Sequence, residues 1–145
     1  MKTPGRTLIR SVGRLLTGTT FVVLGADAAR KPGGRVEQAG PTLDSIRKVV
    51  PLPKNDELLV RANGAAQAAG GALLALGRFP RFSSAVIAGS MVPTTLAGHA
   101  FWKIQDPVAR KQQQVQFFKN AALVGGLLLE VALDQPKKKA KKSKK

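Results

Sequence analysis

A chain of 145 residues is one domain by size, and its 24 Lys and Arg against 8 Asp and Glu give a formal charge of +16. Seven of those lysines stand in the last nine residues, so the body carries 17 basic groups against 8 acidic ones. There is no cysteine, which excludes disulfides, thiolate metal sites and redox thiols of the chain's own. The mean hydropathy of -0.05 resembles that of a soluble protein, but charge is clustered along the chain. Between Phe82 and Ala100 the only titratable side chain is His99.

At the N-terminus, Lys2, Arg6, Arg10 and Arg14 precede the apolar run LLTGTTFVVLGADAA. An A-x-A-like pattern at Ala26 to Ala28 also fits a signal peptide, but further apolar segments downstream favour one membrane helix among several. Leu15 to Ala29 gives only about 22 Å of helix at 1.5 Å per residue, short of a hydrocarbon core of roughly 30 Å. The helix therefore takes in Leu8, Ile9 and Val12, with Arg10 and Arg14 snorkelling toward headgroups. Arg30-Lys31-Pro32-Gly33-Gly34 ends it.

Residues 31–56 read as a loop with prolines at 32, 41, 51 and 53. Within it, Leu43, Ile46, Val49 and Val50 are spaced for one apolar face, predicting a short helix from Thr42 over the bundle or at the interface. Asn55 or Asp56 caps the next helix, rich in Ala and Gly, in which Gly64 with Ala68 and Ala65 with Ala69 form small-xxx-small spacings that allow close helix approach in lipid. The third apolar segment, FSSAVIAGSMVPTTLAGHAFW, is kinked at Pro93, where Ser90, Thr94 or Thr95 can satisfy the freed carbonyl. A polar turn opened by Asp106 and Pro107 leads into the fourth, VQFFKNAALVGGLLLEVAL. The expectation is an all-α protein: a four-helix transmembrane bundle with up-down topology over residues 1–134, its spans near 8–30, 56–77, 80–101 and 115–133, followed by a disordered lysine-rich tail over 135–145.

With the N-terminus inside, 13 Lys and Arg fall on the inner side and nine on the outer, which favours both termini in the cytoplasm. That topology brings Asp27, Arg61, Asn63, Gln67, His99, Lys119 and Asn120 to one level, the outer one, with Phe101 and Trp102 as aromatic interface anchors. The opposite end offers Glu130 as its one comparable group. Two readings stay open for the outer set. One is a structural network in which Asp27 pairs with Arg61 or Lys119 and holds the bundle in register. The other is a small outward pocket with His99, the residue type whose charge changes near neutral pH, as a proton-transfer group.

The R-x-N-G-x-x-Q run from Arg61 to Gln67, the P-T-T-x-x-G-H-x-F-W run from Pro93 to Trp102, and F-x-K-N from Phe117 to Asn120 with Gly125 to Leu128 together resemble the DoxX family of small bacterial four-helix membrane proteins. The likeness runs from about Leu8 to Leu133 and leaves out the lysine tail. It implies a plasma-membrane protein tied to oxidoreductase systems, either as a subunit of a thiosulfate:quinone oxidoreductase or as a membrane partner of superoxide dismutase and a sulfurtransferase. A quinone is the cofactor this implies; no catalytic residue carries over. Without cysteine, any sulfur transfer belongs to partners.

One histidine excludes bis-histidine haem ligation and leaves a metal site without a second imidazole. GAAQAAGG is not a phosphate loop, since no G-K-[ST] follows. The lysine tail suits an anionic lipid surface, with nucleic acid less favoured, and reads equally as a solvated positive-inside tail. Besides a redox-linked, quinone-binding subunit, the sequence accommodates a non-catalytic scaffold docking soluble enzymes and, more weakly, a soluble basic helical protein that binds nucleic acid.

Overall fold

A computed structural model describes residues 4–133, and all regular structure among them is helical. In chain order the helices are α1 (Pro4–Arg30), α2 (Arg35–Arg47), α3 (Asp56–Ala75), α4 (Pro80–Gly98) and α5 (Pro107–Leu133), with one 3-10 turn at Phe101–Lys103. α3 packs against α1 and α4, α4 holds α5, and α2 lies on α3 and α4. The lysine tail lies outside the described residues.

The apolar sequence is spent on an outer surface. The buried hydrophobic core of the described residues is Phe21, Leu74, Ile87, Ala88, Met91 and Leu127, whereas Ile9, Val23, Phe82 and Leu129 are each more than 60% exposed. Two stretches, Thr7–Arg30 and Pro107–Leu133, are long and apolar enough to cross a membrane, and only 17% and 6% of their most apolar windows are buried. A core helix of a soluble protein would be mostly covered; these helices turn their apolar sides outward.

Three helix limits differ from the sequence reading. α5 starts at Pro107 instead of near 115, because Asp106 caps it: its Oδ2 accepts the Ala109 N–H at 2.6 Å, and proline suits the first helical position. α2 begins at Arg35, well before Thr42, and runs through Pro41. It has no buried residue, and Pro41 is exposed, so water can serve the carbonyl that proline leaves unbonded. α4 stops at Gly98, and His99 is its C-cap. The end of α3 is closed by Gly77 at φ +66°, with Gly77 N–H donating to Leu74 O and Arg78 N–H to Leu73 O, a paired cap that requires the left-handed glycine.

α1 and α3 are joined along a seam of glycines seven residues apart on each helix. A Cβ placed on Gly18 would lie 2.5 Å from Gly71 O, and one on Gly25 would lie 2.6 Å from Gly64 O. These two pairings fix an antiparallel register with backbone against backbone, the close approach that substitutes for hydrophobic drive inside lipid. The expected role of Gly64 is thus present, with Gly18, Gly25 and Gly71 as its counterparts.

α2 is tied down at its end by Arg47. The guanidinium donates to Asp44 Oδ1 at 2.9 Å, to Pro53 O at 2.8 Å and to Asp56 Oδ1 at the start of α3. The Asp56 hydrogen bond, aided by Asp44, raises the Arg47 pKa from an already high value against some desolvation. The stabilisation this brings is complete below the unfolded arginine pKa and is lost only as pH rises through the still higher folded value, so it persists throughout the neutral range.

Candidate functional site

The polar side chains predicted to share one level divide into three groups, each with its own partners. The first caps α1. Arg61 on α3 donates to Ala29 O at 2.6 Å and to Arg30 O at 3.1 Å, supplying cationic donors to the carbonyl end of α1, and it also bonds Glu57 one turn earlier. Asp27 does not pair with Arg61 or Lys119. It accepts from Arg35 at 2.8 Å, because the turn at 31–34 folds the start of α2 back on the end of α1. Both members of that pair are about half exposed, so its contribution is at most about 1 kcal/mol.

The second group is a set of hydrogen bonds across α3, α4 and α5. Thr94 Oγ1 receives Asn63 Nδ2 at 2.9 Å and, at the long limit of 3.5 Å, Gln67 Nε2. The same hydroxyl donates to Ser90 O at 2.8 Å, one turn back on α4, beside the Gly89 carbonyl that Pro93 leaves without its helical donor. On the neighbouring residue, Thr95 Oγ1 receives Asn120 Nδ2 from α5 at 3.1 Å. Gln67 and Thr95 are buried, and adjacent threonines thus join α4 to a different helix on each side.

The third group lies where α4 ends. His99 Nδ1 is 2.6 Å from Gln113 Oε1 on α5. With the amide oxygen accepting, Nδ1 carries the proton, leaving Nε2 of neutral His99 as an acceptor. Beside this pair is an aromatic cluster. Phe101 and Trp102 meet edge to face at 5.2 Å between centroids, and Phe117 packs edge to face on both, at 5.5 and 5.8 Å. Gln113 and Phe117 are four residues apart on α5, hence on one face. Trp102 remains half exposed.

Lys119 joins none of these groups. It is exposed and lines two grooves, one along the first turns of α5 and one between α5 and α1. Sequence reasoning missed Gln113 and the link from Arg14 on α1 to Glu130 on α5. In that link, Arg14 Nε and Nη2 reach Glu130 Oε1 at 2.7 and 2.5 Å, with Arg10 Nη2 at 3.8 Å. The isolated Glu130 is the visible signal in the sequence, where Arg10 and Arg14 read as headgroup partners. No group of three His, Cys, Asp or Glu side chains among the described residues can hold a metal ion.

These features define a helical membrane protein with polar pairs between helices and apolar residues facing outward. The family model for DoxX matches residues 9–100, more than half of the chain, and the protein belongs to the DoxX family. No curated protein and no solved structure matches the chain. Family membership and the outward apolar surface favour a membrane protein over the soluble reading.

Proposed function

We propose that the protein is a multi-pass protein of the bacterial plasma membrane, with α1, α3, α4 and α5 crossing up and down and both termini in the cytoplasm. It acts as a membrane subunit or anchor of a redox or oxidative-stress system, and a quinone sits at its outer end. The observation that carries the quinone reading is the His99–Gln113 hydrogen bond beside the Phe101, Trp102 and Phe117 rings. Flat aromatic faces suit a quinoid ring, and a neutral imidazole acceptor suits a quinol hydroxyl. The quinone would supply the electron-carrying chemistry. The chain contributes an acceptor for the hydroxyl proton and an aromatic wall, while soluble partners such as superoxide dismutase or a sulfurtransferase do the remaining chemistry.

A second reading, a scaffold without a ligand, is favoured by a specific observation: Asn63, Gln67 and Asn120 are already engaged in bonds between helices. One variant separates the readings, and a second checks the exposed Asp27 pair. Asp27→Asn should leave melting in detergent within about 1 kcal/mol of wild type, as an exposed pair requires. His99→Gln should fold, yet lose the solvent-extractable quinone of the purified protein and fail to restore a deletion strain. If His99→Gln keeps its quinone and restores the strain, the outer polar groups are structural and the scaffold reading stands.

A further inference from the structure

One face of α5 is left uncovered by the other helices and differs from the surface around it. Val108, Gln112, Val115, Lys119, Ala122 and Gly126 are all exposed, and they follow one another at alternating steps of four and three residues. That spacing keeps them in one line and is the pattern by which one helix lies along another. From Val108 to Gly126 the line is about 27 Å long at 1.5 Å per residue. Two grooves, of about 670 and 690 Å³, follow it end to end and share Lys119. The second is bounded on its far side by α1, where Gly13 stands. A Cβ on Gly13 or Gly126 would meet nothing within 4 Å, so both leave room for a neighbour. They differ in this from the α1–α3 glycines, whose missing side chains are filled by a neighbouring backbone.

The make-up of this line is not that of a lipid-facing surface. Phe118, Leu128, Leu129 and Leu133, exposed elsewhere on α5, are large and apolar. Ala122 and Gly126 instead let a second backbone come close, and such residues are enriched where membrane helices meet. Lys119 stands near the middle of the 27-residue helix with no ion pair or hydrogen bond among the described residues. Arg61 on α3, by contrast, is engaged with the carbonyl end of α1. A charge within a membrane helix is costly and is as a rule paired.

We infer that this face docks a membrane-spanning helix of a different protein, which places an Asp or Glu opposite Lys119. Length favours a helix over a lipid, because the face is about twice as long as one leaflet of a hydrocarbon core of roughly 30 Å. Charge disfavours a second copy. Two α5 helices meeting on this face about a two-fold axis normal to the membrane run parallel, so Lys119 of each would stand against Lys119 of the other. Against an acidic helix the same position is attractive, and it fixes the register of the pair. The inference needs α5 to span the membrane and does not depend on the quinone reading. It adds a partner within the membrane to the soluble ones proposed above.

The test is photo-crosslinking of the full-length chain in the membranes of its native host. A photoreactive phenylalanine derivative replaces Val115 or Leu123, which line the grooves, or Phe82 on α4 as an exposed control. Both groove positions should form an adduct with the same membrane-spanning segment of one other protein, and Phe82 should not. Mapped by mass spectrometry, that segment should contain an Asp or Glu. Lys119→Glu should cut the adduct yield about tenfold or more, since like charges then face one another, and changing the partner's acid to Lys should restore it. Gly126→Leu, which fills the space left for the partner, should lower the yield without a change of charge. Both variants should melt in detergent as the wild type does, because Lys119 has no partner within the chain and a Cβ at Gly126 meets no neighbour. The inference is overturned if the adducts join two copies of this chain, if only lipid or no protein is captured, if the captured segment carries no acid, or if either variant leaves the yield unchanged. None of these results bears on quinone retention, so the two readings fail separately.

Discussion

Replacing Gly71 with alanine should destabilise the protein by about 1–3 kcal/mol, although the change adds one methyl group to a helix. Alanine is the better helix former, by about 1 kcal/mol, so local propensity alone predicts the opposite sign. Packing decides the outcome, because a Cβ at Gly71 would lie 2.5 Å from Gly18 O and 2.8 Å from Val22 N, and backbone atoms cannot rotate aside. α1 would have to move away from α3, opening the contact at Gly25 and Gly64 as well. Gly18→Ala should cost a similar amount, and the double variant less than the sum, since both substitutions break one contact. Gly89→Ala is the control: its Cβ would meet nothing within 4 Å, so propensity is free to act and the protein should be unchanged or slightly more stable. Thermal unfolding in detergent, followed by helical circular dichroism, reads all four variants.

Glu130→Ala should be as damaging, at roughly 2–3 kcal/mol. The carboxylate receives two hydrogen bonds from Arg14, and the two side chains are 18% and 21% exposed, so the variant loses two charge-assisted bonds that are largely shielded from water. The magnitude is set below that of a fully buried pair because some solvent screening remains. Joint replacement, Arg14→Met with Glu130→Met, should recover most of the loss, since apolar side chains of similar size often replace a buried ion pair without penalty. If Glu130→Ala melts as wild type does, the link does not hold α1 to α5. If the double methionine variant is as unstable as the single, the electrostatic explanation fails.

Helices and their order were legible because the apolar runs are separated by strong breakers, and the residues that end α1 and α3 are Pro and Gly. Helix limits were less legible. Pro41 reads as a breaker, yet an exposed helix tolerates it, and the glutamine-rich start of α5 reads as a turn until Asp106 is recognised as its cap. For the polar groups, the sequence puts the side chains on one level, whereas they divide among separate groups whose partners it did not name. By charge Asp27 reads as a partner for Arg61 or Lys119, whereas local geometry gives Asp27 to Arg35 and turns Arg61 to the carbonyl end of α1. Neutral partners such as Thr94, Thr95 and Gln113 carry little signal, because Thr and Gln are also ordinary helix-surface residues. The α1–α3 register was hidden for a different reason. Spacing of seven marks glycines on one helix face, but only the packed pair shows which face of the other helix they meet.

Four of the five helices are expected to cross the membrane, and reporter fusions at Lys48, Arg78 and Lys145 would show it. Lys48 follows α2, Arg78 lies between α3 and α4, and Lys145 ends the chain. Four crossings put Lys48 outside and both Arg78 and Lys145 in the cytoplasm. If Arg78 reports from the same side as Lys48, only α1 and α5 cross, and the four-helix account is contradicted.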